Sequence, residues 1–348
     1  MLTMKTLHKI IYSDAREMEG VKSESVDLMI TSPPYPMIKM WDDMFSVQNP
    51  EIAEALREEY GEKAFELMNK ELDKVWKEVY RVLKIGGIAC INIGDATRSL
   101  GGKFQIYTNH ARILNYCLGL GFHALPEILW LKETNKPDKF MGSGMLPVGA
   151  YVTLEHEYIL ILRKGYKREF KSAEEKLNRQ NSAFFWEERN TWFSDKWNDL
   201  NGVFQKLNHI KVRERSGAYP IELAYRLINM FSVQGDTILD PFLGTGTTTL
   251  GAIASARNSI GYEIDGNFKD IVEERIKNIK DTANIYIDGR LSRHIEFMKK
   301  RLELKGEHKY FNKNYNFPVV TNQEKNILFL KLKEINKTNE NIFEVEYR

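Results

Sequence analysis

The chain has 348 residues, 43% of them hydrophobic, which is enough for one large domain with insertions or for two domains. Its formal net charge of +2 is too balanced to indicate nucleic-acid binding by itself, and two cysteines exclude a disulfide framework. Because no apolar leader follows Met1 and no apolar run reaches membrane-spanning length, we expect a soluble, cytoplasmic protein without a membrane partner.

Residues 8–31 predict two strands, and the second is the mostly apolar run 26–31. Two prolines end this strand, and because proline lacks an N–H they present carbonyl acceptors without offering donors. A serine hydroxyl and an aromatic ring flank them, so the turn is a rigid cluster of acceptors. Its members are Ser32, Pro33, Pro34 and Tyr35.

Such a cluster suits a reaction at the exocyclic amino group of a nucleobase. The lone pair of an aromatic amine is delocalised, and acceptors that take the amine hydrogens favour a more tetrahedral nitrogen that attacks a methyl group. Tyr35 would stack on the base and hold it in line. Taken alone, the same residues fit equally well a proline turn beside a half-buried tyrosine.

Amphipathic and alternating patterns predict the elements of the first half. Residues 36–60 read as a loop or partly helical insertion, and residues 142–144 as a mobile glycine loop. We expect the two longest strands to pair antiparallel. The predicted elements are helices over 64–84 and 105–120 and strands over 87–93, 122–132 and 155–164.

The second half contains a strand, a glycine turn, a helix and a second strand in succession. Glycines at 244 and 246 let the backbone approach a ligand closely, and the start of the helix that follows offers free N–H groups. Glu263 ends the second strand about twenty residues later, the spacing at which a Rossmann-type unit presents a carboxylate to ribose hydroxyls. Asp240, at the tip of the first strand, suits the amino group of a bound amino acid.

These features predict a nucleoside-cofactor site. A phosphate-loop nucleotidase is disfavoured because the lysine-containing phosphate motif is absent, and a nicotinamide dehydrogenase is disfavoured because Thr249 stands where a third glycine is required. Helices are predicted over 220–232, 247–256, 267–280 and 292–304, and strands over 237–240, 258–262 and 326–330.

The two motifs together resemble the β-class DNA methyltransferases, which use S-adenosylmethionine to modify an exocyclic amino group. That family places its Ser-Pro-Pro-Tyr or Asp-Pro-Pro-Tyr segment before its Phe-x-Gly-x-Gly segment, as this chain does at 32–35 and 242–246. The resemblance covers about residues 8–280. It implies an α/β fold: a doubly wound, Rossmann-like methyltransferase sheet in permuted order, catalytic half before cofactor half, with an inserted target-recognition region.

The resemblance also implies a division of the chain. Residues 1–165 form the catalytic half, 166–212 the target-recognition region, 213–280 the cofactor-binding half and 281–348 a C-terminal extension whose role the sequence leaves open. No metal is needed. The residues expected to hold S-adenosylmethionine are Asp14, Tyr219, Asp240, Phe242, Gly244, Gly246, Thr247 and Glu263.

Double-stranded DNA is the partner that the resemblance implies, with a cognate restriction endonuclease and a homodimer as further partners left open. Aromatic residues cluster in the recognition region, and we predict that most of them pack inside it. The residues expected to touch DNA are Trp41, Arg189, Lys196, Arg213 and Arg215, of which Trp41 fits equally a place in the core.

Within the resembled family, a serine before the two prolines accompanies cytosine-N4 methylation, and aspartate or asparagine accompanies adenine-N6 methylation. Ser32 therefore points to N4 of a flipped cytosine in a restriction-modification system. Methylation at cytosine C5 needs a cysteine nucleophile, and we predict that Cys90 and Cys117 are core residues instead. Adenine-N6 methylation, RNA methylation and a catalytically idle DNA-binding module remain as alternatives.

Overall fold

The computed structural model describes residues 4–132, 141–200 and 219–348. A ten-stranded sheet runs through the molecule, and five parallel strands form its centre. In spatial order the strands are β10 (Lys196–Trp197), β6 (Phe122–Leu131), β9 (His156–Lys164), β3 (Leu83–Ile93), β2 (Val26–Thr31), β11 (Thr237–Asp240), β12 (Asn258–Glu263), β1 (Lys5–Tyr12), β16 (Ile342–Tyr347) and β15 (Leu332–Asn339).

The expected doubly wound sheet in permuted order is confirmed. Strand β2, which precedes the proline turn, lies beside β11, which precedes the glycine turn, although β11 comes much later in the chain. Alternate residues of β2 enter cores on opposite faces of the sheet, Met29 in one and Leu28 and Ile30 in the other. Because β2 is buried on both faces, most of its residues are apolar.

Helices cover both faces of the sheet. The described helices are α1 (Asp42–Gln48), α2 (Pro50–Arg57), α3 (Gly61–Val82), α4 (Asn109–Leu120), α5 (Ala173–Asn181), α6 (Trp186–Trp192), α7 (Ile221–Phe231), α8 (Thr247–Ala254) and α9 (Lys269–Lys305). Helix α3 places Leu72, Val75 and Val79 in the core on one face, and α7 places Leu223 and Leu227 in the core on the other.

Strands β6 and β9 pair antiparallel as predicted, and β9 pairs antiparallel with β3. The predicted start of the helix at 105 is wrong, because 96–107 forms a hairpin of β4 (Ala96–Leu100) and β5 (Lys103–Tyr107). Its turn places Gly101 and Gly102 at positive φ, which glycine adopts without strain. The expected loop at 142–144 lies in a second hairpin, of β7 (Met141–Gly142) and β8 (Ala150–Tyr151).

The C-terminal extension differs most from its prediction. One helix of 37 residues, α9, replaces the two expected helices. The stretch between the two predicted helices, 281–291, contains Gly289 and the buried Arg290, and these residues interrupt the apolar period that predicts a helix. The predicted strand at 326–330 is also wrong, because the Leu328 N–H donates to the Asn181 carbonyl rather than to a neighbouring strand. A short hairpin, β13 (Tyr310–Phe311) with β14 (Pro318–Val319), follows α9.

Residues 166–200 pack against the extension rather than forming a separate body. Glu188 of α6 forms an ion pair of 2.6 Å with the buried Arg290 of α9, and Phe185 stacks on His294 at 3.8 Å. Of the clustered aromatic residues, Phe185, Trp192 and Trp197 are buried as predicted, whereas Trp186 and Phe193 are exposed. Cys90 and Cys117 are free and buried, which confirms their place in the core. No helix in the described ranges is both long and apolar enough to cross a membrane.

Candidate functional site

The proline turn and the glycine turn meet at the carboxyl ends of β2 and β11. The two strands are adjacent and parallel, with Met29 opposite Leu239. At their tips the Thr31 hydroxyl donates a hydrogen bond of 2.6 Å to the buried Asp240 carboxylate. Two motifs some two hundred residues apart in sequence therefore share one edge of the sheet, where ligands of open α/β sheets bind.

Asp240 is the hub of this junction. One carboxylate oxygen accepts from Thr31 and from the Phe242 N–H at 3.0 Å, and the other accepts from the Thr248 hydroxyl at 2.5 Å. Burial raises the pKa of this carboxyl, and the surrounding donors partly offset the effect. Both oxygens already have donors within the protein, and the role expected for Asp240 at the cofactor amino group stays a prediction.

The glycine turn has room for a ligand. Gly244 and Gly246 lie at φ +53° and +84°, where glycine is favoured, and Gly246 precedes the first residue of α8. A Cβ added to Gly244 would meet no protein atom within 4 Å, so the space above it is open. The turn thus fits a nucleoside cofactor at Gly244, where open space lies beside the backbone.

Glu263 ties this turn to the next strand. Its two oxygens accept from the N–H groups of Gly244 at 2.7 Å and Asp265 at 2.8 Å. Burial raises the pKa of the Glu263 carboxyl. Arg275 of α9, which sequence reasoning missed, donates to the Thr245 carbonyl at 2.6 Å and to the Thr247 hydroxyl at 3.5 Å. The contacts of Glu263 and of Arg275 therefore fix the turn without a ligand.

Three further predicted cofactor residues border this turn. Phe242 is half-buried and lies edge-on to Trp76, with ring centroids 6.1 Å apart. Tyr219 is buried, and its hydroxyl is hydrogen-bonded to Thr248 next to Asp240. Burial and the Asp240 carboxylate raise the pKa of Tyr219 well above its ordinary value. Thr247 is buried at the start of α8.

Asp14 follows β1, the neighbour of β12 at this edge of the sheet. Its carboxylate forms an ion pair of 2.6 Å with Arg16, which also reaches Glu71 at 2.5 Å. Partial burial would raise the pKa of Asp14, but the hydrogen bonds from Arg16 lower it overall. A cavity of about 500 Å³ lies beside Asp14 and is lined by β1, the loop after it, Tyr262 and the 339–342 turn.

The proline turn, which is the segment expected to be catalytic, is anchored by a network of polar side chains. The Tyr35 hydroxyl lies 3.0 Å from the Ser32 hydroxyl and donates to Glu157 of β9 at 2.9 Å. Glu157 also accepts from Asn92 of β3 at 2.6 Å and pairs with Lys132 at 2.5 Å. Sequence reasoning missed the roles of Asn92, Lys132 and Glu157, although Asn92 and Glu157 lie in the strands predicted over 87–93 and 155–164.

The backbone around Tyr35 is equally constrained. The Asn109 side-chain amide donates to the carbonyls of Pro36 at 3.1 Å and Gly94 at 3.0 Å, and so joins the proline turn to the end of β3. A Cβ on Gly94 would lie 3.0 Å from the Tyr35 ring. Burial, and then the nearby Glu157 carboxylate, raise the pKa of Tyr35 well above its ordinary value. Pro33 and Pro34 are buried, and Ser32 is half-buried.

The oxygen of the Asn92 side-chain amide is buried and has no hydrogen-bond partner among the described atoms. It belongs to the same side chain that donates to Glu157 and, at 3.0 Å, to the Tyr35 hydroxyl. A buried acceptor without a donor is costly, so this oxygen is a natural place for a ligand N–H group.

The predicted DNA-contacting residues are spread over the surface. Trp41 is half-buried and packs against the core that contains α3. Arg189 of α6 and Lys196 of β10 are both exposed, and the Arg189 guanidinium lies 5.6 Å from the Phe193 ring centroid. Arg213 and Arg215 lie outside the described residues.

Comparisons with known proteins agree with this geometry. A family described as DNA methylase, N6_N4_Mtase, matches residues 26–274. The type II methyltransferase M.MthZI of Methanothermobacter thermautotrophicus is 52% identical over 346 residues, which cover 99% of this chain and 96% of that relative. M.MjaI of Methanocaldococcus jannaschii, also a type II methyltransferase, is 51% identical over 286 residues, covering 79% of this chain and 93% of the relative.

A solved structure supports the same fold. The putative DNA modification methylase TTHA0409 of Thermus thermophilus, complexed with S-adenosyl-L-methionine, is 31% identical and superposes with a TM-score of 0.60. The match covers 77% of this chain and 92% of that one.

Proposed function

Because this chain belongs to the N6_N4 family of DNA methylases, whose methyl donor is S-adenosylmethionine, we propose that it methylates N4 of a cytosine flipped out of double-stranded DNA. The observation that carries the choice of base is Ser32 at the tip of β2, within the Ser-Pro-Pro-Tyr turn. A type II DNA methyltransferase works with a restriction endonuclease in a restriction-modification system. We propose that this chain has such a cognate endonuclease as its partner.

Bound S-adenosylmethionine supplies an electrophilic methyl group. The residues that would hold it surround the glycine turn, where Gly244 leaves open space and Glu263 fixes the backbone. The proposed set is Asp14, Tyr219, Asp240, Phe242, Gly244, Gly246, Thr247 and Glu263.

The chain's own residues prepare the target nitrogen. Ser32 and the carbonyls of the two prolines accept the hydrogens of the amino group, which makes its lone pair available for attack. The hydrogen bond between Thr31 and Asp240 fixes this acceptor turn beside the cofactor turn, so the two reacting groups are placed by one rigid junction. Tyr35, held by Glu157 and Asn92, offers its ring to the face of the base.

We further propose that residues 1–165 and 213–280 act as the catalytic and cofactor halves and that 166–212 recognises the target sequence. The proposed DNA contacts of this region are the exposed Arg189 and Lys196, together with Arg213 and Arg215 just after it. The described part of the region packs on 281–348, so the extension supports it from behind.

Transfer of a labelled methyl group from S-adenosylmethionine to unmethylated genomic DNA, followed by nucleoside analysis, tests the proposal. We expect N4-methylcytosine. N6-methyladenine would keep the fold and overturn the interpretation of Ser32. An absence of label in DNA, with the cofactor bound, would contradict the DNA substrate itself. Sequencing around the modified base then gives the recognition sequence.

A further inference from the structure

An exposed apolar hairpin stands between β6 and β9. The fourteen residues 141–154 contain no charged side chain. Four of their large apolar side chains are among the most exposed in the described protein: Met145 at 80%, Leu146 at 69%, Val148 at 99% and Val152 at 84%. Exposed apolar groups concentrated in one short segment mark an interaction site.

The hairpin is built to hold these side chains outward. The Ser143 N–H donates to the Gly149 carbonyl at 2.9 Å, which closes the turn that carries Leu146 and Val148. A Cβ on Gly142 would lie 2.0 Å from that same carbonyl. Strands β7 and β8 therefore approach each other too closely for any side chain at position 142. The apolar tip is therefore a defined turn.

The two ends of the hairpin segment lie beside the polar network that holds Tyr35. The Lys132 N–H, at the end of β6, donates to the Glu155 carbonyl at 2.7 Å, and the Lys132 side chain pairs with Glu157, which holds Tyr35. Tyr151 of the hairpin stacks on Phe104 of the β4–β5 hairpin, with ring centroids 4.5 Å apart. The tip thus projects from the edge of the sheet that carries Ser32.

We propose that Leu146 and Val148 form a wedge that enters the DNA duplex and occupies the gap left by the flipped base. This inference rests on the proposed function. Uncharged, apolar side chains gain nothing from phosphates, and the stacked interior of the duplex is the apolar part of DNA. The only base pair disrupted is the one that holds the target, and the hairpin borders the network that receives that base.

The variant Leu146→Ser with Val148→Ser tests the wedge. Two duplexes with the mapped recognition sequence are compared, one fully paired and one with an abasic site opposite the target base. An unpaired base leaves the stack at lower cost, so a wedge matters less for it. We expect kcat/KM to fall about tenfold or more on the paired duplex and less than about threefold on the abasic duplex. Affinity for S-adenosylmethionine should not change.

Leu304→Ser serves as a matched control, because Leu304 is 84% exposed at the end of α9. Equal losses on both duplexes, or no loss on either, overturn the wedge. If the hairpin variant instead converts a dimer into a monomer in light scattering, the tip binds a second copy of the chain and the wedge is overturned. If the unaltered protein methylates neither duplex, the proposed function itself fails.

Discussion

Tyr35 has two separable contributions, its ring and its hydroxyl. The ring packs closely on Gly94, where an added Cβ would lie 3.0 Å from it, and the hydroxyl is held by Glu157 and Asn92. The proline turn alone predicts the ring and its place beside the base. The hydroxyl partners come from β9 and β3, so only the folded sheet shows why this residue is tyrosine rather than phenylalanine.

We expect Tyr35→Ala to lower kcat about 100-fold or more, because the base loses its stacking surface, and Tyr35→Phe to lower it less than about tenfold. Pro34→Ala should also lower turnover sharply. Affinity for S-adenosylmethionine, measured by calorimetry, should be nearly unchanged in all three. Loss of cofactor binding in both alanine variants would show that the segment is structural.

Gly244 borders the open space in which we expect the cofactor to lie. Gly244→Val should abolish binding of S-adenosylmethionine, because a branched side chain would fill the open space above the turn. The positive φ of +53° adds backbone strain, so thermal unfolding is followed in parallel. Gly119→Val is the control, since nothing lies within 4 Å of an added Cβ there either. Unchanged cofactor affinity in Gly244→Val would refute this placement of the ligand.

Strand β1 joins β12 to the C-terminal extension. It pairs parallel with β12 on one side and antiparallel with β16 on the other. His8 lies at its centre with no exposed surface, and its ring nitrogens contact the hydroxyls of Thr6 at 2.8 Å and Ser259 at 2.9 Å. Burial lowers the pKa of His8 from 6.5 to about 3, so the ring is neutral in the folded protein.

This strand makes stability sensitive to acid. Because the folded pKa is lower than the unfolded one, the His8 contribution is present above pH 6.5 and is lost as pH falls from 6.5 toward 3. Between pH 7.5 and 5.5 the loss is about 1.4 kcal/mol. The free energy of unfolding, measured with urea, should show this loss in the unaltered protein and not in His8→Gln. The exposed His123→Gln should retain it, and an equal pH dependence in His8→Gln would contradict the assignment.

At the scale of the whole molecule, Arg290 connects two regions that the sequence separates. Its guanidinium is 1% exposed, pairs with Glu188 of α6 at 2.6 Å and lies 4.1 Å from the Phe329 ring centroid. The region proposed to recognise DNA therefore rests on the extension through a buried ion pair, and the extension has a structural role that its composition did not reveal.

Removal of one partner from this pair should destabilise the fold. We expect Arg290→Met to lower the free energy of unfolding by about 3–5 kcal/mol, because it leaves the half-buried Glu188 carboxylate without its counter-charge. The double variant with Glu188→Gln should lose less than the two single changes combined. Lys300→Ala, at an exposed ion pair with Glu296, is the control and should behave like the unaltered protein. Additive losses would show that the pair is not coupled.

The sequence by itself determined the central sheet, the order of its two halves and the residue types of both turns. Local signals carry these features: an apolar run buried on both faces, prolines that end a strand, and glycines at positive φ. The spans of β2, β11 and α7 are accordingly close to their predictions.

Only the tertiary structure decided which distant side chains contact these turns. Glu157, Asn92 and Lys132 belong to three different segments, and no spacing along the chain indicates that they meet at Tyr35. The middle of α9 was missed for a related reason, because the buried Arg290 in that stretch pairs with Glu188, which is distant in sequence. Strand pairing brings such residues together, and pairing is a property of the folded sheet rather than of any local pattern.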